Sequence, residues 1–466
     1  SAYSSLQPPE TMAASANTGR TVVLYPSPGM GHLVPLVALA TVLARRGLAV
    51  TVATVVPPYD TGSVAAFLDR ASADVPGVSF HRLPAVTLPT LDTSNQMELG
   101  FQLIRLSDPN LLRYLQAASP TALVLDFLCA TTMDVAAEVG VPVFLFFTSG
   151  AGALTGALYT PVLHDIYTEN FRDMGDTRVL IPGSYAAFIY LTKRLTEADV
   201  LIVNTFEELE PTAIKAIRDG LCAPPGTRTP PVYCVGPLIT PENRVEKDPR
   251  ETCLAWLDSQ PRASVVFLCF GSLGRFSAEQ LKEMATGLEK SRQRFLWVVR
   301  SPPSDDPSKR FEKPPEPDLD ALLPVGFRER TRERGMVVNS WAPQASVLAH
   351  ESVGGFVTHM GWNSVLEAIC AGVPIWMNKV LVVDDLGLAG VVEGYDKGTV
   401  TAAEVEGRIR WLMESEEGKA LTARTSSARE AAMAAQRAGG SSYKSLEDLA
   451  SAVRRIPSPV GGPHPR

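Results

Sequence analysis

The sequence predicts an α/β protein built of two doubly wound, Rossmann-like halves. Three observations carry that expectation. Short apolar runs alternate with helical segments along the chain. A glycine turn follows the leading strand of each series. One charged, proline-containing linker separates the two series. A length of 466 residues suits two large domains.

The elements of the first half follow in order. The run Thr21 to Tyr25 is a short apolar strand that ends in Pro-Ser-Pro-Gly-Met-Gly. A mostly apolar helix is expected over Leu33 to Ala44, and a second strand over Ala49 to Val56. Strand, glycine turn, helix and strand make the βαβ unit of a parallel sheet. The same grammar recurs with the strand Ala122–Phe127, the helix Met133–Val139 and the strand Val143–Phe147. Val200 to Asn204 is a further buried strand.

The uncharged stretch from Val141 to Leu163 is long enough to cross a bilayer. Thr148-Ser149-Gly150, Gly152 and Pro161 interrupt it, so it reads as a strand, a turn and a short buried helix.

A break follows Val235-Gly236-Pro237, where residues 239–252 form a solvated linker rich in Pro and charge. The second series opens with the strand Ser264–Phe270 and Gly271-Ser272. A helix over Ser277–Lys290 and the strand Phe295–Val299 come next. Ser301 to Pro317 is an exposed loop, and strands are expected at Met336–Val338 and Gly355–Thr358. The domains are therefore a tail over 1–20, a first domain over 21–238, the linker, and a second domain over 253–439. An amphipathic helix over about 440–456 is expected to pack back on the first domain.

Composition excludes several classes. Hydrophobic residues are 45% and charged residues 20%, ordinary values for a protein with a large core. With 43 Lys+Arg against 50 Asp+Glu the formal charge is −7, which argues against a nucleic-acid partner. The cysteines at 129, 222, 234, 253, 269 and 370 form no CxxC pair and no Cys/His metal spacing. Most lie in apolar runs, as reduced thiols of a cytoplasmic protein do. No Asn-x-Ser/Thr sequon occurs, and the first twenty residues lack the apolar core of a signal peptide.

Gly29-Met30-Gly31-His32 sits where a strand hands over to a helix, so backbone N–H groups can approach a ligand. A dinucleotide fingerprint needs a third glycine at Val34 and an acid ending the second strand. That strand ends in Val55-Val56-Pro57-Pro58, so the nicotinamide reading is weak. His32 stands at the carboxyl edge of a parallel sheet, where ligands bind. A histidine there can take a proton from a substrate hydroxyl near neutral pH, or it can be a simple capping residue. Asp126 shifts the balance toward the base. It ends the buried strand Ala122-Leu123-Val124-Leu125 at the same edge and can hold the imidazole through Nδ1–H. Asp134 is read as an early-helix acid.

The densest part of the chain begins at Trp341-Ala342-Pro343-Gln344. It runs through Phe356-Val357-Thr358-His359 and Gly361-Trp362-Asn363-Ser364 to Leu366-Glu367 and Gly372-Val373-Pro374. A short strand turns into a helix at His359 to Ser364, making a phosphate cradle without a lysine. Glu367 lies one helical turn beyond Asn363 and is placed to accept hydrogen bonds from a sugar diol. Asp318-Leu319-Asp320 has the spacing of a metal-binding DxD, but it lies in a Pro- and Glu-rich loop, so metal binding is not expected.

With these residues the chain resembles the plant family 1 UDP-sugar glycosyltransferases. The stretch from Trp341 matches their signature box. The Gly-His turn, Leu125-Asp126-Phe127, Val203-Asn204-Thr205-Phe206, Cys234-Val235-Gly236-Pro237 and Phe270-Gly271-Ser272 match as well. The likeness runs from about Thr21 to Arg455. It implies a GT-B fold, two Rossmann-like domains facing across a cleft, with acceptor in the first half and donor in the second. By that likeness Trp341 stacks on uracil, Gln344 bonds the uridine and Glu367 takes the ribose. His359, Asn363, Ser364 and Ser272 hold the diphosphate, with Ala342, Gly361 and Trp362 beside them. His32 is the base and Asp126 its partner, and Phe127 and Tyr185 touch the acceptor. The branch it looks nearest to glucosylates phenolic acceptors such as flavonoids and chalcones. The resemblance implies UDP-glucose or another UDP-sugar as co-substrate, no cofactor or metal, and a cytoplasmic monomer. Transfer to a ring carbon, or a UDP-binding homologue without turnover, are the alternatives.

The chain departs from that pattern at three places. Met360 stands where the family has cysteine, which alters packing only. At Pro182-Gly183-Ser184-Tyr185 a longer Pro-rich loop is missing. After Pro374-Ile375 the chain goes straight to Trp376-Met377-Asn378-Lys379, which reads as a helix start. There a strand and the acidic–Gln pair that grips the sugar are absent. Asp384 and Asp385 fall too far along to replace that pair. Deleting a buried strand leaves its neighbours' backbone groups unpaired. The expectation is therefore a break in the chain at Ile375–Trp376 and at Gly183–Ser184, with Cα atoms well beyond the ~3.8 Å of bonded trans residues. A normal bond at Ile375–Trp376 would instead favour the homologue without turnover.

Overall fold

The computed structural model describes residues 19–55, 63–88, 96–166, 182–239, 250–271, 274–304, 306, 314–359, 361–376, 388–390 and 399–457. They divide into two compact units, with boundaries between Thr240 and Pro241 and between Ala434 and Ala435.

The first unit holds a seven-stranded parallel sheet. Its strands are β1 (Thr21–Tyr25), β2 (Ala49–Thr54), β3 (Val78–Arg82), β4 (Ala122–Asp126), β5 (Val143–Phe147), β6 (Val200–Val203) and β7 (Val232–Cys234). Their order is β3-β2-β1-β4-β5-β6-β7. Successive side chains of β1 divide between two cores, as the period of a strand requires. Val22 and Leu24 pack with the helix Met30–Ala44 and with Leu446, Leu449 and Val453 of the helix Ser441–Arg455. Val23 and Tyr25 join Leu123, Leu125, Leu145 and Leu154 on the other face. The terminal helix is tied to the first by Arg46 Nε donating to Glu447 Oε1 at 2.8 Å. Each buried leucine of that helix contributes about 1.5–3 kcal/mol to the packing.

The second unit holds six parallel strands in the order β10-β9-β8-β11-β12-β13. They are β8 (Val265–Cys269), β9 (Arg294–Val299), β10 (Gly335–Asn339), β11 (Val353–Thr358), β12 (Ile375–Trp376) and β13 (Ala389–Gly390). Val266, Leu268, Phe295 and Trp297 pack against the helices Ala278–Ser291 and Ala402–Glu414 through Leu281, Leu288, Val405 and Ile409.

Several expectations need correction. The first helix begins at Met30 rather than Leu33, so His32 belongs to its opening turn. Gly29, at φ 146°, turns the chain there, and its carbonyl accepts from Leu33 N at 2.9 Å. The sequence does not single out β3, which carries Ser79, His81 and Arg82, or β7, which is only three residues long.

The expected breaks do not occur. Gly183 and Ser184 are successive residues of the helix Pro182–Arg194. Ile375 and Trp376 are successive residues of β12, in register with Phe356 and Val357 of β11. Trp376 is thus the end of a strand, not a helix start. Ala389 and Gly390 pair on the far side of the same two residues. The sheet closes around the shortened chain and backbone pairing on both sides of β12 is kept, which removes the physical objection to the deletion.

The stretch 141–163 is β5 and the helix Ala151–Ile166. Among the described residues no helix is long and apolar enough to cross a membrane.

Candidate active site

Both sheets reverse direction at their centres. The order changes between β1 and β4 in the first unit and between β8 and β11 in the second. At such a switch point the flanking loops part and leave a crevice at the carboxyl edge.

In the first unit the crevice holds His32 and Asp126. The imidazole follows the Gly29 turn after β1, and the carboxylate ends β4. His32 Nδ1 lies 2.8 Å from Asp126 Oδ2. A carboxylate only accepts, so Nδ1 carries the hydrogen and Nε2 is the basic nitrogen. The other carboxylate oxygen accepts from Leu128 N at 2.9 Å, capping a short 3₁₀ turn over Phe127–Thr132. Both oxygens are therefore fixed by the fold. The Asp126 side chain is 0% exposed, whereas that of His32 is 26% exposed. Burial pulls the imidazole pKa down, but the charge and hydrogen bond of Asp126 outweigh it, and the net shift is upward. Phe127 lies tilted beside the imidazole, 6.1 Å between centroids, and packs on Phe147 at 4.6 Å. A flat apolar wall thus adjoins a proton acceptor.

Sequence reasoning missed two groups here. Thr148, just after β5, places Oγ1 3.3 Å from His32 Nδ1. Buried Glu210 accepts from Ala151 N and Gly152 N, each at 2.8 Å, and so caps the helix after Thr148. The signal for Thr148 is present in the sequence: it directly follows an apolar strand at the same edge as Asp126.

In the second unit Trp341 follows β10 and is 43% exposed. Ala342 is buried. Gln344 opens the helix Gln344–Leu348. Its Nε2 donates to Ser364 Oγ at 2.9 Å and to Glu367 Oε2 at 2.8 Å, so three of the expected residues meet. Burial pushes the Glu367 carboxyl up to about 7, against a smaller lowering by the Gln344 amide. Gly361, Trp362, Asn363 and Ser364 form the start of the helix Trp362–Ala371, whose N–H groups and dipole suit an anion.

His359, exposed after β11, lies against Gly271 from the loop after β8. A Cβ on Gly271 would stand 2.3 Å from His359 Cε1, and Gly271 has φ +69°. That close approach explains the glycine before Ser272. Ser272 and Met360 lie outside the described residues, as do Asp384 and Asp385. Tyr185 falls in the helix Pro182–Arg194, with its side chain outside them.

Asp318 is otherwise employed: its Oδ1 accepts from Asp320 N and Ala321 N and caps a short helix. Among the described residues no group of three or more His, Cys, Asp or Glu side chains is gathered for a metal ion.

Comparison with known proteins fits this arrangement. The family model described as UDP-glucoronosyl and UDP-glucosyl transferase matches residues 238–385. The chain is 43% identical to UDP-glycosyltransferase 88F3 of Pyrus communis, over 93% of this chain and 100% of that one. It is also 43% identical to phloretin 2'-O-glucosyltransferase of the same organism, with the same coverage. Among solved structures it is similar to UGT2 of Phytolacca americana, complexed with UDP-2-fluoro-glucose and pterostilbene. The TM-score is 0.81 at 33% identity, over 94% of this chain and 100% of that one.

Proposed function

This chain belongs to the UDP-glycosyltransferase family, and on that premise we propose that it transfers glucose from UDP-glucose to a hydroxyl of a small phenolic acceptor, with inversion. The observation that carries the mechanism is the His32–Asp126 pair at the switch point of the first sheet. His32 Nε2 takes the phenol proton, and Asp126 stabilises the imidazolium that forms. The phenolic oxygen attacks the anomeric carbon, the bond to UDP breaks, and UDP leaves with the electron pair. Phe127 offers its face to the acceptor ring, with Tyr185 as a second acceptor contact.

On the donor side Trp341 stacks on uracil, and Gln344 and Glu367 bond the uridine and ribose. His359, Asn363, Ser364 and Ser272 hold the diphosphate at the helix start, with Ala342, Gly361 and Trp362 lining it. The helix dipole stabilises the departing charge. The engagement of Asp318 in a helix cap supports a reaction without a metal at that motif. Six free, buried cysteines support a reducing, cytoplasmic setting.

The name of the phloretin relative supports a phenolic acceptor and transfer to oxygen rather than carbon. The continuous strand Ile375–Trp376 by itself favours a homologue without turnover; the His32–Asp126 pair and the glucosyltransferase relatives outweigh it, and the shortened box favours a donor gripped by its nucleotide more than by its sugar. Incubation with UDP-glucose and a dihydrochalcone, read by mass spectrometry and UDP release, tests the reading. The expected product carries one hexose and loses it in acid. An acid-stable product would mean transfer to carbon. UDP binding without UDP release would leave a nucleotide-binding homologue.

A further inference from the structure

We propose that a basic cavity at the amino edge of the second sheet is a binding site for a small, multiply charged phosphate compound. It lies apart from the donor cluster, which stands after β10 and β11 at the carboxyl edge. The inference goes beyond the proposed transfer and does not rest on it.

The cavity has a volume of about 760 Å³. Small-molecule sites usually enclose about 300–1,000 Å³. Its lining comes from three elements. Glu289 and Lys290 stand at the end of the helix Ala278–Ser291, and Arg292 follows it with φ 57°. Arg334 directly precedes β10, and Glu406 and Arg410 belong to the helix Ala402–Glu414. Four cations thus face two carboxylates, in a chain whose formal charge is −7.

Both carboxylates are already answered. Arg330, which does not line the cavity, donates to Glu289 from Nε at 2.6 Å and from Nη2 at 3.0 Å. Glu406 pairs with Arg410 at 3.3 Å. Among the described residues no carboxylate lies within ion-pair distance of Lys290, Arg292 or Arg334. Those cations are left to attract an anion from solution.

Two of the guanidinium groups are held ready. Arg334 Nη1 donates to Arg330 O at 3.3 Å and its Nη2 to Glu289 O at 3.1 Å. Arg410 Nη2 donates to Lys290 O at 3.1 Å. Bonds to Glu289 O and Lys290 O satisfy carbonyls at the helix end, and they use only part of each group's five N–H donors. The forks are therefore placed before a ligand arrives, which lowers the ordering cost of binding.

The walls select the ligand. Thr286 is the one uncharged residue among the described residues of the lining, so no flat apolar face is offered to a base or a phenol. A planar carboxylate is satisfied by a single arginine fork. A tetrahedral phosphate accepts from several directions at once, as cations on three elements require.

The test is calorimetry on the full chain saturated with UDP and titrated with inorganic pyrophosphate. UDP fills the donor cradle, so a further equivalent reports a site elsewhere. One equivalent is expected to bind, about fivefold or more weaker at about 300 mM salt than at about 50 mM. The double variant Lys290→Gln with Arg292→Gln changes two exposed side chains and is expected to weaken binding by about tenfold or more. Its UDP affinity and turnover are expected to stay within about twofold of the unsubstituted protein. Arg334→Gln is expected to weaken pyrophosphate as well, with its melting temperature reporting any loss of the helix cap. Citrate is expected to bind about tenfold more weakly than pyrophosphate.

Three results would overturn the proposal. No heat with UDP-saturated protein would mean that pyrophosphate sees only the donor cradle. Unchanged binding in the Lys290–Arg292 double variant would place the anion elsewhere. Equal binding of citrate would mean general attraction to surface charge. Failure of the transfer reading is separately visible, because a chain without turnover would still bind pyrophosphate here and lose it in the double variant.

Discussion

The imidazole of His359 lies against the backbone of Gly271, two residues brought together from the ends of the adjacent strands β11 and β8. Any side chain at 271 would occupy the place of that ring. Gly271→Ala is expected to displace His359 and weaken UDP binding by at least about tenfold, or about 1.4 kcal/mol. Calorimetry with UDP checks it; unchanged affinity would mean that His359 does not contact the nucleotide.

His32→Ala is expected to lower kcat by about a hundredfold or more, because a positioned base contributes 10²–10⁴-fold. UDP affinity is expected to stay within about twofold, since His32 belongs to the first unit. Loss of UDP binding together with turnover would assign His32 to the donor site.

Asp126 raises the pKa of His32, so the catalytically competent neutral form is lost as pH falls through a value above that of an ordinary imidazole. Asp126→Asn removes the charge. The acid limb of the rate profile is then expected to move to lower pH while the plateau falls. A limb that stays in place would mean that another group sets it.

Trp341→Ala is expected to cost about 1–3 kcal/mol of UDP affinity, the worth of one stacked base. Glu367 adds a pH dependence, because its carboxyl is held at about 7 by burial. Below that pH it is protonated and gives up acceptor capacity for the ribose diol. UDP affinity is expected to fall as pH drops from 8 to about 6. In Glu367→Gln that dependence is expected to vanish, at lower affinity throughout. A flat profile in the unsubstituted protein would remove Glu367 from the ribose.

The continuous strand Ile375–Trp376 has its own consequence. With no acidic–Gln pair following it in the sequence, the sugar is expected to add little to binding. UDP and UDP-glucose are expected to bind within about threefold of each other, and donor panels to show weak discrimination among UDP-hexoses. A preference for UDP-glucose of tenfold or more would require a grip supplied from elsewhere in the chain.

The amino-acid sequence by itself determined the two alternating series, the glycine turns at their carboxyl edges, and the cluster from Trp341 to Glu367. Those features are local. A strand's period, a helix start and a carboxylate one turn beyond it are written in residues a few positions apart, so their backbone geometry follows from short-range hydrogen bonding. Ser364 and Glu367 could be grouped on that basis, and Gln344, 20 and 23 residues away on another helix, meets both. Only the tertiary structure decided what lies across strands. The sequence pairs His32 with Asp126, 94 residues away, because both end elements at one sheet edge, but Thr148, 116 residues from His32, joins them only because β1, β4 and β5 are neighbours in the sheet. Strand order is set by which apolar faces bury one another, a property of the whole core that no local pattern records. The same reason explains β12. Locally, a shortened chain looked like a missing strand. In the sheet, Trp376 and the Ala389–Gly390 strand restore the pairing, because backbone groups accept any neighbour that arrives in register.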